Sequence, residues 1–417
     1  MMITMLLPLL VTVVGMFLLF RLKFFFIFHP IRTLREFVGA VKDRNARRSL
    51  FLALAGTLGV GNIFGVSAGI MIGGAGSLFW LLISSVFAMI IKYSETLLVF
   101  DNATLRGGMS AVLNDTFPQF GKALPTIYAM TTVLLSLVMG SSMQSAAVLD
   151  VAKQTTGRSY AFSGMILIIL LLVCLAKGVD KIEKATEIII PTTTIIYIFL
   201  CFCVIFANKD KIEGVIYDIV SSALMPHSAV GGISAIAIKE GFARGILSNE
   251  AGVGTSAFAH TRSRDRAPHI AGLFGMCEVL FDSIVLCMLT GISILVSVDN
   301  ISDFSTPMDL VFTAFQKSLG DFLSALLLPI IFAFAYSTII CWYYYGRECI
   351  NLYFPRCERI FLPLFLGFVL TPSFISSASL ICIVDVLLMV MSLMTLSAIL
   401  KKSYRIATLC LQNKNPE

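Results

Sequence analysis

Apolar stretches of about twenty residues recur along this chain as far as Lys401, and no polar block between them is large enough for a separate soluble domain. A stretch of that length crosses the roughly 30 Å hydrocarbon core of a bilayer as an α-helix. Hydrophobic residues make up 57% of the sequence and charged residues 13%, against about 45–50% and 25% in soluble domains. The sequence therefore predicts one all-α integral membrane domain covering residues 1–417.

Eleven transmembrane helices are predicted from the apolar stretches and the polar breaks between them. They cover residues 3–28, 49–72, 76–100, 123–150, 160–176, 186–206, 229–260, 270–297, 321–346, 359–374 and 377–400. The first has no basic segment before it and no small-residue cleavage site after it, which favours a retained span over a signal peptide. The lipid bilayer of a plasma or inner membrane is therefore the predicted location.

Basic residues are distributed unequally between the two sides of these predicted spans. With the N-terminus outside, 23 of the 31 lysines and arginines fall in inner segments, five in outer segments and three within spans. Inner loops of membrane proteins carry such an excess, so the sequence predicts an outside N-terminus and a cytoplasmic C-terminus. Topology also accounts for the net charge of +6, and no aromatic-interleaved basic stripe indicates a nucleic-acid partner.

Patterns for catalysis and for metal binding are missing from the predicted spans. No span carries a paired nucleophile and base or a metal-ligand set, so an intramembrane enzyme is not expected. The four histidines fall at span ends or in loops, and the ten cysteines form no CxxC or Cys/His cluster. The sequence carries no feature that specifies an oligomeric state.

Two predicted spans are interrupted by glycines beside an asparagine. The second span reads "AGTLGVGNIFGVSAG" and contains Gly59, Gly61 and Asn62. The seventh contains "GILSNEAGVGTSAFAH", whose interruption includes Asn249, Glu250, Gly252 and Gly254. Irregular backbone at membrane depth is tolerated only where it is buried in protein or lines a cavity. Close helix packing is the alternative for the first glycine row, because residues 61, 65 and 69 have GxxxG spacing.

The two interrupted spans lie five helices apart, which indicates two inverted halves. If the first helix is an accessory, residues 49–206 and 229–400 form two five-helix units, and each unit opens with its interrupted helix. Such a pair points to a transporter site near the middle of the membrane. Residues 1–48 then contribute the accessory helix and a basic inner loop, and residues 401–417 a cytoplasmic tail.

Four blocks of the sequence resemble signatures of the alanine/glycine:cation symporter family. They are "GTLGVGNIFGV", "EGFARGILSNEAGVGTSAFAH", "KGVDKIEKATEIIIP" and "FAYSTIICWYYYGREC". The similarity runs from about Arg47 to Ile350 and includes "IKYSE" at 91–95 and "RGG" at 106–108. It implies a leucine-transporter-type fold of the amino acid/polyamine superfamily, with five plus five helices in inverted repeat. It also implies cotransport of alanine or glycine with sodium.

The interrupted helices suit a zwitterionic substrate. Free N–H groups at a break near Gly59 to Asn62 carry partial positive charge and favour the substrate carboxylate. The ammonium group is expected to meet Asn249, carbonyls of residues 251–254 and Gln144, for which an interhelical hydrogen bond is the alternative role. The resemblance makes Trp342 a pocket wall over a methyl-sized side chain, and packing or an interfacial position is the alternative.

Oxygen ligands suited to sodium occur in "FAYSTIICW". The Ser337 and Thr338 hydroxyls and the Phe334 carbonyl share one helix face, and hard cations prefer oxygen ligands. The resemblance adds carbonyls from the first break, around Gly56 and Val60. Serine and threonine in membrane helices also bond back to carbonyls of their own helix, which is the alternative interpretation.

Carboxylates inside the predicted spans are functional candidates by default. Glu250 lies within the second break. Glu278 and Asp282, one helical turn apart, fit either a proton relay or an interior polar contact. Lys92 and Glu95 lie three residues apart near one helix end, and we predict that they pair.

Two positions depart from the family pattern and leave substrate and ion preference open. Val60 stands where the family commonly has threonine, and Ala146 where it has asparagine. We predict sodium-coupled symport of small neutral amino acids such as alanine or glycine by alternating access. A proton-coupled symporter, an amino-acid exchanger and a sensor that binds an amino acid without moving it remain alternatives.

Overall fold

The computed structural model describes residues 2–102, 107–156, 160–176, 178–224, 231–263, 267–374 and 377–412. These residues form helices joined by turns and short irregular segments, with no strand among them. Arg106 of the "RGG" block, the predicted start of the seventh span at 229 and the tail from Asn413 onward lie outside the described residues.

Twenty-one α-helices follow one another in this described part of the chain. They are α1 (Met2–Arg21), α2 (Phe25–Phe28), α3 (Pro30–Val41), α4 (Arg44–Thr57), α5 (Val66–Gly73), α6 (Gly76–Asp101), α7 (Met109–Thr116), α8 (Ala123–Leu135), α9 (Gln144–Thr156), α10 (Tyr160–Leu175), α11 (Val179–Ala207), α12 (Ile212–Leu224), α13 (Gly231–Asn249), α14 (Ala257–His260), α15 (Pro268–Val279), α16 (Met288–Ser297), α17 (Pro307–Ser324), α18 (Leu327–Tyr353), α19 (Glu358–Phe368), α20 (Ser377–Lys401) and α21 (Ser403–Gln412). Three stretches form wider π-helical turns, Gly61–Gly65, Ser136–Met143 and Leu280–Cys287. Short 3₁₀ turns occur at Pro118–Phe120, Lys209–Lys211, Ile301–Asp303, Pro355–Cys357 and Thr371–Ser373.

Six continuous helical spans among the described residues are long and apolar enough to cross a membrane. They are Gly76–Asp101, Ala123–Lys153, Val179–Ala207, Pro268–Ser297, Leu327–Tyr353 and Leu380–Lys401. The bent pair of α4 and α5 adds a seventh, and Leu6–Arg21 and Phe162–Leu175 are shorter apolar helices. The all-helical class is therefore confirmed, whereas the count of eleven spans stays a prediction.

The first predicted span, 3–28, is too long at its C-terminal end. Its helix, α1, ends at Arg21, because Lys23 and Phe24 both adopt a φ angle of 53°, in the left-handed region. The chain then turns through the short α2 into α3. The apolar run of phenylalanines that suggested a continuous span therefore belongs to the turn and to α2.

Three later boundaries also differ from their predictions. The sixth, ninth and tenth spans, predicted at 186–206, 321–346 and 359–374, are observed as Val179–Ala207, Leu327–Tyr353 and Glu358–Phe368. Gly178, with a φ angle of 82°, starts α11 earlier than the charged "DKIEK" segment suggested. Gly320, with a φ angle of 74°, kinks α17 and delays the start of α18.

The second predicted span is broken where its glycines cluster. Helix α4 ends at Thr57, and the axes of the two halves differ by 51°. Leu58, with φ of −73° and ψ of 82°, is the residue that leaves the helical conformation. A side chain at Gly59 would lie 3.0 Å from Gln144 Oε1 and 3.1 Å from Thr338 Oγ1, so glycine permits this close approach.

The seventh predicted span is broken between α13 and α14. Its helix ends at Asn249, and Glu250, Gly252 and Gly254 follow with φ angles of 53°, 90° and 81°. Glycine adopts such angles freely, whereas glutamate in the left-handed region is uncommon and costs of order 1–3 kcal/mol. Glu250 is therefore held in place by its surroundings.

Helix α6 is the element on which α13 and α15 pack. Their contacts are made through glycines, because a Cβ added at Gly241, Gly245, Gly272 or Gly275 would overlap atoms of α6. Small residues let helix backbones approach closely, which is how helices associate in a membrane. This packing brings Lys92 and Glu95 of α6 beside the second break.

Candidate substrate and ion site

The first break presents backbone N–H groups to two side-chain amides. Gly59 N donates to Asn62 Oδ1 at 3.1 Å, and Val60 N donates to Gln144 Oε1 at 3.3 Å. Both acceptors are amide oxygens, which resemble one oxygen of a carboxylate in size and hydrogen bonding. The predicted carboxylate-binding groups thus face acceptors, and Gln144 reaches the first break.

One side of the first break is open. Gly61 is exposed and Gly65 is half-buried. A Cβ added at either position would meet no atom within 4 Å. This side of the first break is therefore accessible, while Asn62 on the other side is buried.

Asn62 joins the first break to the second half of the chain. Its Nδ2 lies 3.1 Å from Ser248 Oγ and also donates to Asp282 Oδ1. Asp282 Oδ2 accepts from the Ser248 and Ser283 hydroxyls, each at 2.7 Å, and Asn249 Nδ2 donates to Ser283 Oγ at 3.1 Å. A buried, hydrogen-bonded cluster of these five residues therefore connects the two breaks.

Backbone groups of the second break form hydrogen bonds with several neighbouring side chains. Gly252 N donates to Glu95 Oε1, and Ala251 N donates to Asn249 Oδ1 at 3.0 Å. The Val253 carbonyl accepts from the Tyr128 hydroxyl at 2.9 Å and from the Thr395 hydroxyl at 3.2 Å. A side chain at Gly254 would lie 3.0 Å from Met109 and from the Tyr128 hydroxyl. This break is enclosed by protein.

A buried charge network lies beside the second break. Lys92 Nζ is 4.0 Å from Glu95 Oε2, 3.7 Å from Glu278 Oε2 and 2.9 Å from Ser256 Oγ. The predicted pairing of Lys92 with Glu95 is therefore confirmed. Glu278 also binds His260 Nε2, so it belongs to this network.

The structure divides the carboxylates of the second half between different partners. Glu278 meets Lys92, whereas Asp282, one turn further along, meets Asn62 in the other cluster. Glu250 Oε2 accepts from the Thr255 hydroxyl at 3.0 Å. His260, predicted to lie at a span end, is the last residue of α14 and is completely buried. Among the described residues, no group of histidine, cysteine and carboxylate side chains forms a metal site.

The predicted sodium ligands of α18 meet the first break at one carbonyl. The Ser337 and Thr338 hydroxyls both lie 2.9 Å from the Phe334 carbonyl oxygen, so back-bonding accounts for part of their hydrogen bonding. Thr338 Oγ1 also lies 3.2 Å from the Leu58 carbonyl oxygen. Leu58 was missing from the predicted ligand set.

The two carbonyls of the first break that were predicted to bind sodium, those of Gly56 and Val60, have other partners. The Gly56 carbonyl accepts from Trp342 Nε1 at 3.3 Å. The Val60 carbonyl accepts from the N–H groups of the next helical turn. Leu58 interrupts the helix, so its carbonyl is the one turned toward Thr338, and only the backbone conformation at the break reveals this.

Trp342 is fully buried on the α4 side of the first break. A Cβ added at Gly140 would overlap its side chain, and its ring centroid lies 5.5 Å from that of Tyr345. Its indole hydrogen bond to Gly56 joins α18 to α4. Both predicted roles, a pocket wall and a packing residue, are compatible with this position.

The family profile of the sodium:alanine symporter family matches residues 1–411. The chain therefore belongs to this family, which confirms the resemblance seen in the glycine-rich blocks. Members of the family are transporters rather than enzymes. Together with the apolar helices, membership makes this a multi-pass membrane protein.

Three named relatives extend this comparison. A sodium/alanine symporter of Methanococcus maripaludis is 31% identical over 314 residues, covering 72% of this chain and 69% of that protein. A probable sodium/glutamine symporter of Bacillus subtilis is 29% identical over 366 residues, covering 84% and 74%. A sodium/proton-dependent alanine carrier protein of a Bacillus species, strain PS3, is 26% identical over 328 residues, covering 75% and 74%.

A solved transporter structure shares the fold. The manganese transporter of Eremococcus coleocola matches with a TM-score of 0.56 at 13% identity, covering 88% of this chain and 77% of that one. Similarity at this level of identity concerns the fold alone.

Proposed function

We propose that this member of the sodium:alanine symporter family couples sodium entry to uptake of a small neutral amino acid, alanine or glycine, by alternating access. The observation that carries the proposal is the link from Asn62 to Ser248 and Asp282, which joins the two breaks. A ligand at this junction contacts both halves of the chain, so its binding energy is able to bias their relative position.

The substrate carboxylate is proposed to bind the N–H groups at the first break. In the structure these groups donate to the amide oxygens of Asn62 and Gln144. A carboxylate replaces such neutral acceptors with stronger, charge-assisted hydrogen bonds. The exposed side of Gly61 leaves room for this approach, because no side chain lies within 4 Å of a Cβ placed there.

The substrate ammonium is proposed to bind oxygen atoms of the second break. Candidate partners are the Asn249 side chain and carbonyls of residues 251–254, with Glu250 and Gln144 nearby in the proposed pocket. The Val253 carbonyl already accepts hydrogen bonds from two hydroxyl groups, so the carbonyls of residues 251, 252 and 254 are the acceptors proposed for the ammonium. The hydrogen bond from Gly252 N to Glu95 holds this backbone in place. Recognition of groups common to all amino acids leaves selection by size to Trp342 and its aliphatic neighbours.

Sodium is proposed to bind between α18 and the first break. Its ligands would be the Ser337 and Thr338 hydroxyls with the carbonyls of Phe334 and Leu58. The distance of 3.2 Å between Thr338 Oγ1 and the Leu58 oxygen supports the pairing. Because one ligand comes from the break itself, sodium binding would stabilise the conformation that also binds substrate.

The repeat architecture and orientation are part of the same proposal. Residues 49–206 and 229–400 would form inverted five-helix units, with residues 1–48 as an accessory segment and 401–417 as a cytoplasmic tail. The bent pair α4 and α5 and the interrupted pair α13 and α14 would be the corresponding first helices. The excess of basic residues in predicted inner loops supports an outside N-terminus.

Proton coupling is the second candidate, and the buried charges favour considering it. Around the second break, the described residues include four buried carboxylates, Glu95, Glu250, Glu278 and Asp282, against one buried lysine, Lys92, and one buried histidine, His260, which binds Glu278. Buried carboxylates require cations, protons or hydrogen-bond donors. Sodium or protons are each able to supply the missing positive charge.

Uptake of labelled alanine into proteoliposomes tests the proposal. An inward sodium gradient should drive accumulation, and one cation moved through 100 mV supplies about 2.3 kcal/mol, or roughly fiftyfold accumulation. Accumulation driven only by an inward proton gradient would select the proton-coupled alternative. Exchange without net accumulation would identify an exchanger, and binding without any flux would identify a sensor.

A further inference from the structure

Helix α3 is amphipathic, and none of its residues is buried. Its apolar side chains Ile31, Leu34 and Val38 are 75%, 61% and 52% exposed. Their spacing of three and four residues puts them on one face of the helix. An amphipathic helix beside a transmembrane segment, with basic residues on its polar face, is typical of a helix that lies in the membrane interface.

Two cavities adjoin α3 and meet at Pro30. One has a volume of about 360 Å³ and is lined almost entirely by apolar side chains of the α1–α3 segment, α6 and α15. The other has a volume of about 560 Å³, and its lining includes His29, Arg32, Arg35 and Glu36. An apolar cavity next to a basic one corresponds to the two ends of a phospholipid.

The charge around α3 favours an anionic headgroup. Residues 21–48 include eight lysines and arginines against two acidic residues. Arg32 Nε donates to Glu36 Oε1 at 2.8 Å, whereas Arg35 makes no hydrogen bond or ion pair within the part of the chain that the structure describes. A basic juxtamembrane segment attracts anionic lipid, at about 1 kcal/mol for each lysine or arginine near the surface.

We propose that an anionic phospholipid binds at α3. Its phosphate meets Arg32 and Arg35 in the basic cavity, and one acyl chain enters the apolar cavity between α3, α6 and α15. The occupant is a lipid of the leaflet on the side of the basic loops, rather than a soluble anion, because an apolar cavity adjoins the basic one and shares Pro30 with it.

A chain of hydrogen bonds holds α3 against the two helices that line the apolar cavity. Glu36 Oε2 lies 3.0 Å from His269 Nε2, and His269 Nδ1 shares a hydrogen bond of 2.6 Å with the Tyr93 hydroxyl. Burial alone would raise the pKa of Glu36, but hydrogen bonds from Arg32 and His269 have the larger combined effect, so its pKa lies below the ordinary value. Glu36 is therefore charged near neutral pH and keeps this anchor in place.

Native mass spectrometry of the purified full-length protein tests the site. The protein is titrated in detergent with phosphatidylglycerol and, separately, with phosphatidylcholine. We expect tighter binding of phosphatidylglycerol, and about twenty-fivefold weaker binding of it by the double variant Arg32→Gln, Arg35→Gln, because each arginine contributes about fivefold. The control, Arg356→Gln with Arg359→Gln, removes two exposed arginines away from both cavities and should bind like the unmodified protein.

Equal affinity for the two lipids, or equal affinity in the double variant and its control, would overturn the headgroup assignment. If the double variant does not elute as a single folded species, Arg35→Gln alone serves, with an expected fivefold loss. Cys277→Phe fills the apolar cavity and should weaken binding of both lipids by a similar factor. Unchanged binding by a folded Cys277→Phe protein would overturn the placement of the acyl chain.

Discussion

Both breaks leave backbone N–H groups without helical partners, and different side chains accept their hydrogen bonds at each break. At the first break, neutral amides of Asn62 and Gln144 accept from free N–H groups, and one side of Gly61 is open. At the second, the backbone is buried and donates to the Glu95 side chain, which is itself paired with Lys92. A ligand easily replaces neutral hydrogen-bond acceptors at an accessible break, whereas it does not easily replace a member of a buried ion pair.

The contrast indicates that substrate affinity and protein stability depend mainly on different breaks. Side chains at the first break are expected to control affinity with modest effect on stability. Side chains at the second break are expected to control stability first, because their removal leaves buried charge without a partner. Substitutions at matched positions of the two breaks test that division.

The largest expected effect belongs to Lys92→Met. It leaves Glu95 and Glu278 without their shared cation, and breaking a buried ion pair from one side costs about 3–5 kcal/mol. The measurement is the midpoint of thermal unfolding in detergent. The control, Lys239→Met, removes a partly exposed lysine paired with Glu240 and should cost no more than about 1 kcal/mol. Equal unfolding midpoints for the two variants would contradict the stabilising role of Lys92.

Asn62→Ala should affect transport more than folding. It removes the link to Asp282, and a hydrogen bond to a charged group is worth about 1.5–3 kcal/mol. We expect kcat/KM for alanine uptake to fall about ten- to hundredfold, with a smaller loss of thermal stability than in Lys92→Met. Asn300→Ala, in an exposed loop, is the control. Uptake at the rate of the unmodified protein would show that the link between the breaks is dispensable.

Thr338→Ala should raise the sodium concentration for half-maximal uptake about tenfold, equivalent to about 1.4 kcal/mol. Thr338 reaches the Leu58 carbonyl at the first break, whereas the neighbouring Ser337 hydroxyl bonds only within its own helix among the described contacts. Ser337→Ala should therefore have the smaller effect. The reverse order, or no sodium dependence in either variant, would place the ion elsewhere.

Gly61→Ala should change stability by less than about 1 kcal/mol, because the added methyl meets no atom within 4 Å. It should still weaken alanine uptake, since the methyl enters the space proposed for substrate. Gly254→Ala, at a φ angle of 81° and against Tyr128, should destabilise the protein by more. Similar unfolding midpoints for the two alanine variants would remove the contrast between the breaks.

The positions of the breaks follow from local sequence, and so they could be predicted. Glycines beside an asparagine interrupt both helices, because glycine permits unusual backbone angles and an intramembrane amide seeks partners. The pairing of Lys92 with Glu95 is equally local, since residues three apart share a helix face. Features that depend only on residues within one or two helical turns could therefore be predicted from the sequence.

Contacts between distant segments could not be predicted in this way. Asp282 lies 220 residues from Asn62, and their meeting depends on how α15 packs on α6. Burial of His260 and the choice of the Leu58 carbonyl depend on the path of the backbone through each break. The end of α1 was missed because positive φ angles at Lys23 and Phe24 carry no strong signal in an apolar run.

The glycine contacts of α6 have a mechanical consequence. Without side chains at Gly241, Gly245, Gly272 and Gly275, the backbones of α13 and α15 lie against α6 with no layer that is free to slide. We expect these three helices to travel as one rigid body during the transport cycle, with displacement taken up between that body and α18. Spin labels on α6 and α13 should keep their separation when sodium and alanine are added, while labels on α6 and α18 change theirs; a changing α6–α13 distance would contradict this expectation.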